Sequence, residues 1–111
     1  MKNPKFIVML FDMYQEACRQ LILKIVNAQK SGDAVEEAKQ TFLLAMLRVQ
    51  YYEQFPGTMP AHSKSAKYIE DQITINWRLV GKARDEADDA GFDWRSCEVP
   101  ELAAYINAKP Q

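Results

Sequence analysis

Glycine and proline interrupt this chain at so few places that the segments between them must be long. From Pro4 to Pro56 the one such residue is Gly32, and after Pro60 the next proline is Pro100. Within these segments apolar residues recur at three- and four-residue steps, the period of an α-helix and not of a strand. The pattern predicts a first helix from Asn3-Pro4 to about Lys30. Asn is suited to cap it and Pro to its first turn, and Ser31-Gly32 ends it. Leu10, Tyr14, Ala17, Cys18, Leu21, Ile25 and Ala28 share its apolar face, while Asp12, Gln15, Glu16, Arg19 and Lys30 lie opposite.

A second helix is expected from Asp33, with Glu36 at capping-box spacing, to about Phe55 before Pro56-Gly57. A third starts near Pro60, or at Ser63 and Ser65, and stops at Asp89 or Ala90 before Gly91. Its apolar face reads Ala66, Ile69, Ile73, Trp77, Val80, Ala83 and Ala87, widened by Tyr68, Ile75 and Leu79. Asn76 and Arg84 fall on or beside that face, either paired inside or reaching solvent along its edge. Phe92 to Glu98 reads as a linker whose aromatics fold back, and a short helix follows Val99-Pro100-Glu101. Residues 1–111 are thus expected to form one all-α domain, a small antiparallel bundle of three long helices plus a short C-terminal helix. A chain of 111 residues is enough for one core and too short for two.

The second helix carries more apolar surface than one contact uses. One stripe is Ala34, Ala38, Phe42, Ala45, Val49 and Tyr52; the other is Leu43, Leu44, Leu47, Tyr51 and Phe55. At about 100° per residue the two are roughly opposed. A helix apolar nearly all round is central to a bundle or buried against another chain. Three helices make a thin bundle, so the Leu43/Leu44/Leu47/Tyr51/Phe55 stripe is expected to stay open for a protein partner or a homodimer.

Fourteen basic against fifteen acidic residues leave a net charge of −1, with no overall field to draw in nucleic acid or an anionic membrane. Lys64, Lys67, Arg78, Lys82 and Arg84 on the third helix are diluted by Glu70, Asp71 and Asp85, which makes DNA binding a third-ranked reading. The run Phe6 to Phe11 is too short to span a bilayer and lacks the features of a signal peptide. Cys18 and Cys97 match no metal or CxxC spacing and read as free thiols. A cytoplasmic location is expected from these features.

Two features invite a chemical reading. The connector Phe55 to Ser63 holds the chain's single histidine, His62, with Ser63 beside it but no orienting acid and no oxyanion hole. One histidine also rules out the paired Glu-x-x-His set of a di-iron bundle within one subunit. The second feature is acidic: Glu36 and Glu37 open the second helix, and Asp85, Glu86, Asp88 and Asp89 close the third. Carboxylates three and four apart on a helix can share a Mg²⁺ or Ca²⁺. This pairing resembles the acidic motifs of small helical nucleotide pyrophosphohydrolases, which implies a metal-dependent hydrolase of nucleotides or phosphate esters. The chain departs from that pattern at Gln40, where an acid would be needed three residues after Glu37. On that alternative Glu36, Glu37, Glu86 and Asp89 would hold the metal, at the start of one helix and the end of its antiparallel neighbour. The leading expectation has no catalytic residue and no cofactor. It is a non-enzymatic interaction module, such as an adaptor, inhibitor or accessory subunit, self-associating through the second stripe of the second helix.

Overall fold

A computed structural model describes residues 11–55 and 64–107, with the backbone alone at 103, 106 and 107. The helices are α1 (Phe11–Ser31), α2 (Ala34–Glu53), α3 (Lys64–Ala90) and α4 (Leu102–Asn107), with a 3-10 turn at Trp94–Ser96 between the last two. There is no strand among the described residues. The fold is all-α, three long helices packed on one another and a short one behind them. The expected start of the first helix at Asn3-Pro4 and most of the Phe55 to Ser63 connector, His62 included, lie outside the described residues.

The helix ends follow from local chemistry. Gly32 takes φ +73° after α1, where a side chain would be strained. Its neighbour Asp33 then caps α2, its carboxylate accepting the Glu36 backbone N–H at 3.0 Å. Gly91 repeats the device after α3, with φ +84°. Asp93 caps the 3-10 turn through the Ser96 N–H.

α2 is the centre of the fold. α1 and α3 each pack along it and barely touch one another. α4 lies against α1 and α2, and the 3-10 turn lies against α3. The Cα radius of gyration is 15.3 Å and the extents are 48 × 34 × 23 Å. A closed globule of this length would have a radius of about 13 Å. The molecule is a layer of helices about two helix diameters thick.

This arrangement corrects the expected fate of the second stripe of α2. Leu43, Leu44, Leu47 and Tyr51 are all buried within the chain itself, Leu47 completely, and Phe55 is half-buried against the same core. Both stripes are used in cis, one for each flanking helix and for the C-terminal segment. Tyr51 meets Tyr14 of α1, while Phe42 meets Trp94 beyond α3. Gln50, about 20° from Leu43 and about 60° from Leu47 around the axis, donates to the Pro100 carbonyl at 3.1 Å. The chain over this side of α2 is the segment after α3, whose Cys97, Val99, Leu102 and Tyr105 pack on the core. The extra protein needed to bury the stripe is therefore supplied by the chain's own segment from Cys97 to Tyr105.

On α3 the expected face holds at Ile69, Val80, Ala83 and Ala87, but Asn76 is buried where Trp77 was expected, and the widening residues stay out. Its buried residues are Ile69, Asn76, Val80, Ala83 and Ala87, while Tyr68, Ile75, Trp77 and Leu79 are exposed. Asn76 can occupy the centre because its Nδ2 donates to the Gln72 carbonyl at 2.7 Å, one turn back.

Candidate functional site

Because α1 and α3 flank α2 and barely touch one another, the layer has two faces. The segment from Phe92 to Tyr105 packs against the core on one of them. The other is open among the described residues. On α1 its rim carries Phe11 and Ile22, which with Cys18 and Arg48 line a cleft of about 690 Å³. On α3 the rim carries Tyr68, Ile75 and Leu79. These lie within about 40° of one another around the helix axis, on the side where Tyr68 meets α2.

A row of rings closes one end of this face. Tyr52 of α2 stands edge-on to Tyr14 of α1 at 6.2 Å and to Tyr68 of α3 at 6.3 Å. The Tyr14 and Tyr52 phenols are held neutral. Burial is the main cause for Tyr14, whose hydroxyl is pushed well above its usual range, with Cys18 adding. Tyr52 is pushed up to about 12, first by burial and then by its hydrogen bond to Tyr68. Burial also raises the Cys18 thiol, against the opposing pull of Tyr14 and the Arg48 guanidinium. Cys18 packs against the core, and its raised thiol disfavours the thiolate. Cys18 and Cys97 are both free.

Exposure of large apolar side chains marks this face. Phe11 and Tyr68 each remain 54% exposed, and Ile75 45%. Leu23 of α1 and Val35 of α2 are exposed as well, singly and away from these rims. Trp77 is exposed too, but it sits on the far flank of α3 and its Nε1 donates to Glu53 at 3.2 Å.

The carboxylates do not assemble. Among the described residues no three His, Cys, Asp or Glu side chains stand close enough to hold a metal ion. Glu36 accepts from Gln40 of its own helix at 2.7 Å, and Glu37 accepts from Gln29 of α1 at 3.0 Å. The α3-facing side of α2 is taken by residues such as Phe42, Ala45 and Val49, so neither glutamate points at Glu86 or Asp89, which are exposed on α3. The acidic end of α3 has local uses instead. Asp88 accepts from Trp94 Nε1 at 3.1 Å and pairs with Arg95 at 3.5 Å. Arg84 and Arg95 both lie over the Trp94 ring, 4.6 and 4.4 Å from its centroid. Arg84 is thus absorbed by packing, and Lys67 pairs with Asp71 at 2.8 Å. What is left of the basic set is scattered, with no continuous track for a phosphate backbone.

The rim of Tyr68, Ile75 and Leu79 is the part that sequence reasoning missed. Their spacing was visible, but they were counted with the core. A usable signal was their 4-3-4 continuation through Gln72, Lys82 and Glu86. Among the described residues no helix is long and apolar enough to cross a membrane. No family model, no curated protein and no solved structure matches the chain.

Proposed function

We propose that this protein is a non-enzymatic helical interaction module that presents the open face of its layer to another polypeptide. The observation behind the reading is the set of large apolar side chains on that face, Phe11 and Ile22 on one rim and Tyr68, Ile75 and Leu79 on the other. Side chains of this size, gathered on one side of a small domain, favour a protein contact. The interaction surface is moved from the Leu43/Leu44/Leu47/Tyr51/Phe55 stripe, which the fold consumes, to the rims of α1 and α3. An adaptor, an inhibitor and an accessory subunit all fit this description, and a cytoplasmic location suits it.

Site-specific photocrosslinking in the source cell tests the reading. A benzoylphenylalanine at Ile22 or Ile75 should give a discrete protein adduct, whereas one at Glu70, on the solvent side of α3, should give none. Absence of any protein adduct from both open-face positions contradicts it.

A further inference from the structure

The exposed stripe of α3 has a built-in match in itself. Tyr68, Gln72, Ile75, Leu79, Lys82 and Glu86 follow one another at alternating steps of four and three, the spacing of a helix seam that packs against a second helix. Beside this seam runs an edge of residues seven apart: Lys64, Asp71, Arg78 and Asp85. Their charges alternate, plus, minus, plus, minus. All four are exposed. The opposite edge of the seam is Ile69, Asn76 and Ala83, already buried against α2.

We propose that the occupant of this stripe is a second copy of the chain, its α3 running antiparallel to the first about a two-fold axis near Ile73 and Thr74. The proposal rests on the interaction-module reading and gives that module its partner. In this register Leu79 of each copy packs on Tyr68 of the other, and Ile75 packs on Gln72. Lys64 meets Asp85 of the second copy, and Asp71, which also holds Lys67 of its own helix at 2.8 Å, meets Arg78 through its outer side. Every cross-pair on the charged edge is then opposite in sign. Sliding one helix by a heptad sets Arg78 against Arg78 and Asp71 against Asp85, so the edge selects the register. A parallel arrangement would set this edge against the Ile69, Asn76 and Ala83 edge of the other copy, already buried against its own α2, and leave the four charges without partners.

The helix ends give an independent argument. α3 has no acid in its first turn and no base in its last. Lys64 and Lys67 open it, and Asp88 and Asp89 close it, each set on the wrong side of the helix dipole. Among the described residues Lys64, Glu86 and Asp89 have no ion-pair partner in the chain. An antiparallel second copy brings a basic start to each acidic end and relieves both. The overlap from Lys64 to Asp85 spans about 30 Å at 1.5 Å per residue.

Sedimentation equilibrium of the full chain, up to hundreds of micromolar, tests the arrangement. The expected species has twice the 12.8 kDa chain mass. Ile75→Glu and Leu79→Glu should each give a monomer with the helical circular dichroism of the parent. Arg78→Asp and Asp71→Arg, made singly, should each weaken the dimer about tenfold, and the two combined should restore it to within about threefold. A parent chain that stays monomeric overturns the proposal, as does a dimer that survives Ile75→Glu and Leu79→Glu. A double reversal no better than either single one overturns the antiparallel register. A monomeric chain that still crosslinks through Ile22 or Ile75 to a different protein would defeat the self-pairing alone and leave the interaction-module reading standing.

Discussion

Tyr14 of α1 and Tyr51 of α2 lie ring on ring, their centroids 3.9 Å apart and their planes 9° from parallel. Tyr52 and Phe55 stand edge-on to Tyr51 at 5.1 and 5.2 Å, so the pair anchors an aromatic cluster across the α1–α2 seam. Tyr51→Ala should cost about 3–5 kcal/mol in urea unfolding, through lost burial and the cavity left behind. Tyr51→Phe keeps the rings and should cost much less. If Tyr51 faced a partner instead, truncating it would leave the stability of the isolated chain nearly unchanged.

The tyrosines also set an alkaline limit to stability. Burial raises Tyr14, Tyr51 and Tyr105, and Tyr52 is raised from 10.0 to about 12. The folded state therefore holds phenolic protons that the unfolded chain releases near pH 10. This stabilisation is complete below that pH and is lost as pH climbs toward 12. The melting temperature should be insensitive to these groups at neutral pH and fall above pH 10. Tyrosinate absorbance at these buried rings should appear only with unfolding. Early ionisation of most tyrosines with the helix content intact would contradict their burial.

The glycine within α3 and the one just after it should respond in opposite directions. At Gly81 an added Cβ meets nothing within 4 Å and the backbone is helical, so Gly81→Ala should stabilise by about 1 kcal/mol, read as a rise of several degrees in melting temperature. Gly91 has φ +84°, and Gly91→Ala should destabilise by about 1 kcal/mol or more.

The reach of the sequence differs from one element to the next for physical reasons. Helix ends were legible because Gly32, Asp33 and Gly91 act on their own neighbours, with no help from distant chain. The two stripes of α2 were legible as well. Their coverage was not, since periodicity shows that Leu43 and Leu47 want burial but not that Val99, Leu102 and Tyr105 come back to bury them. On α3 the apolar count favoured Trp77 and Tyr68 over Asn76. Only the packed arrangement shows that Asn76 satisfies its amide within the helix and takes the central place. The acidic pairs failed for a related reason: spacing places carboxylates on a helix but not the helix faces toward one another.

Leu47 and Leu79 make the separation between core and surface directly measurable. Leu47 is fully buried and Leu47→Ala should cost about 2–5 kcal/mol, whereas Leu79, 37% exposed, should cost well under half of that in dilute protein.

Hydroxyl-radical footprinting of the parent chain at low and high concentration bears most directly on where the interaction surface lies. Leu47 and Tyr51 should react slowly at both concentrations. Tyr68, Ile75 and Leu79 should react fast in dilute protein and become protected as concentration rises. Fast labelling of Leu47 and Tyr51 in dilute protein, with protection on association, would return the interface to α2 and contradict this account.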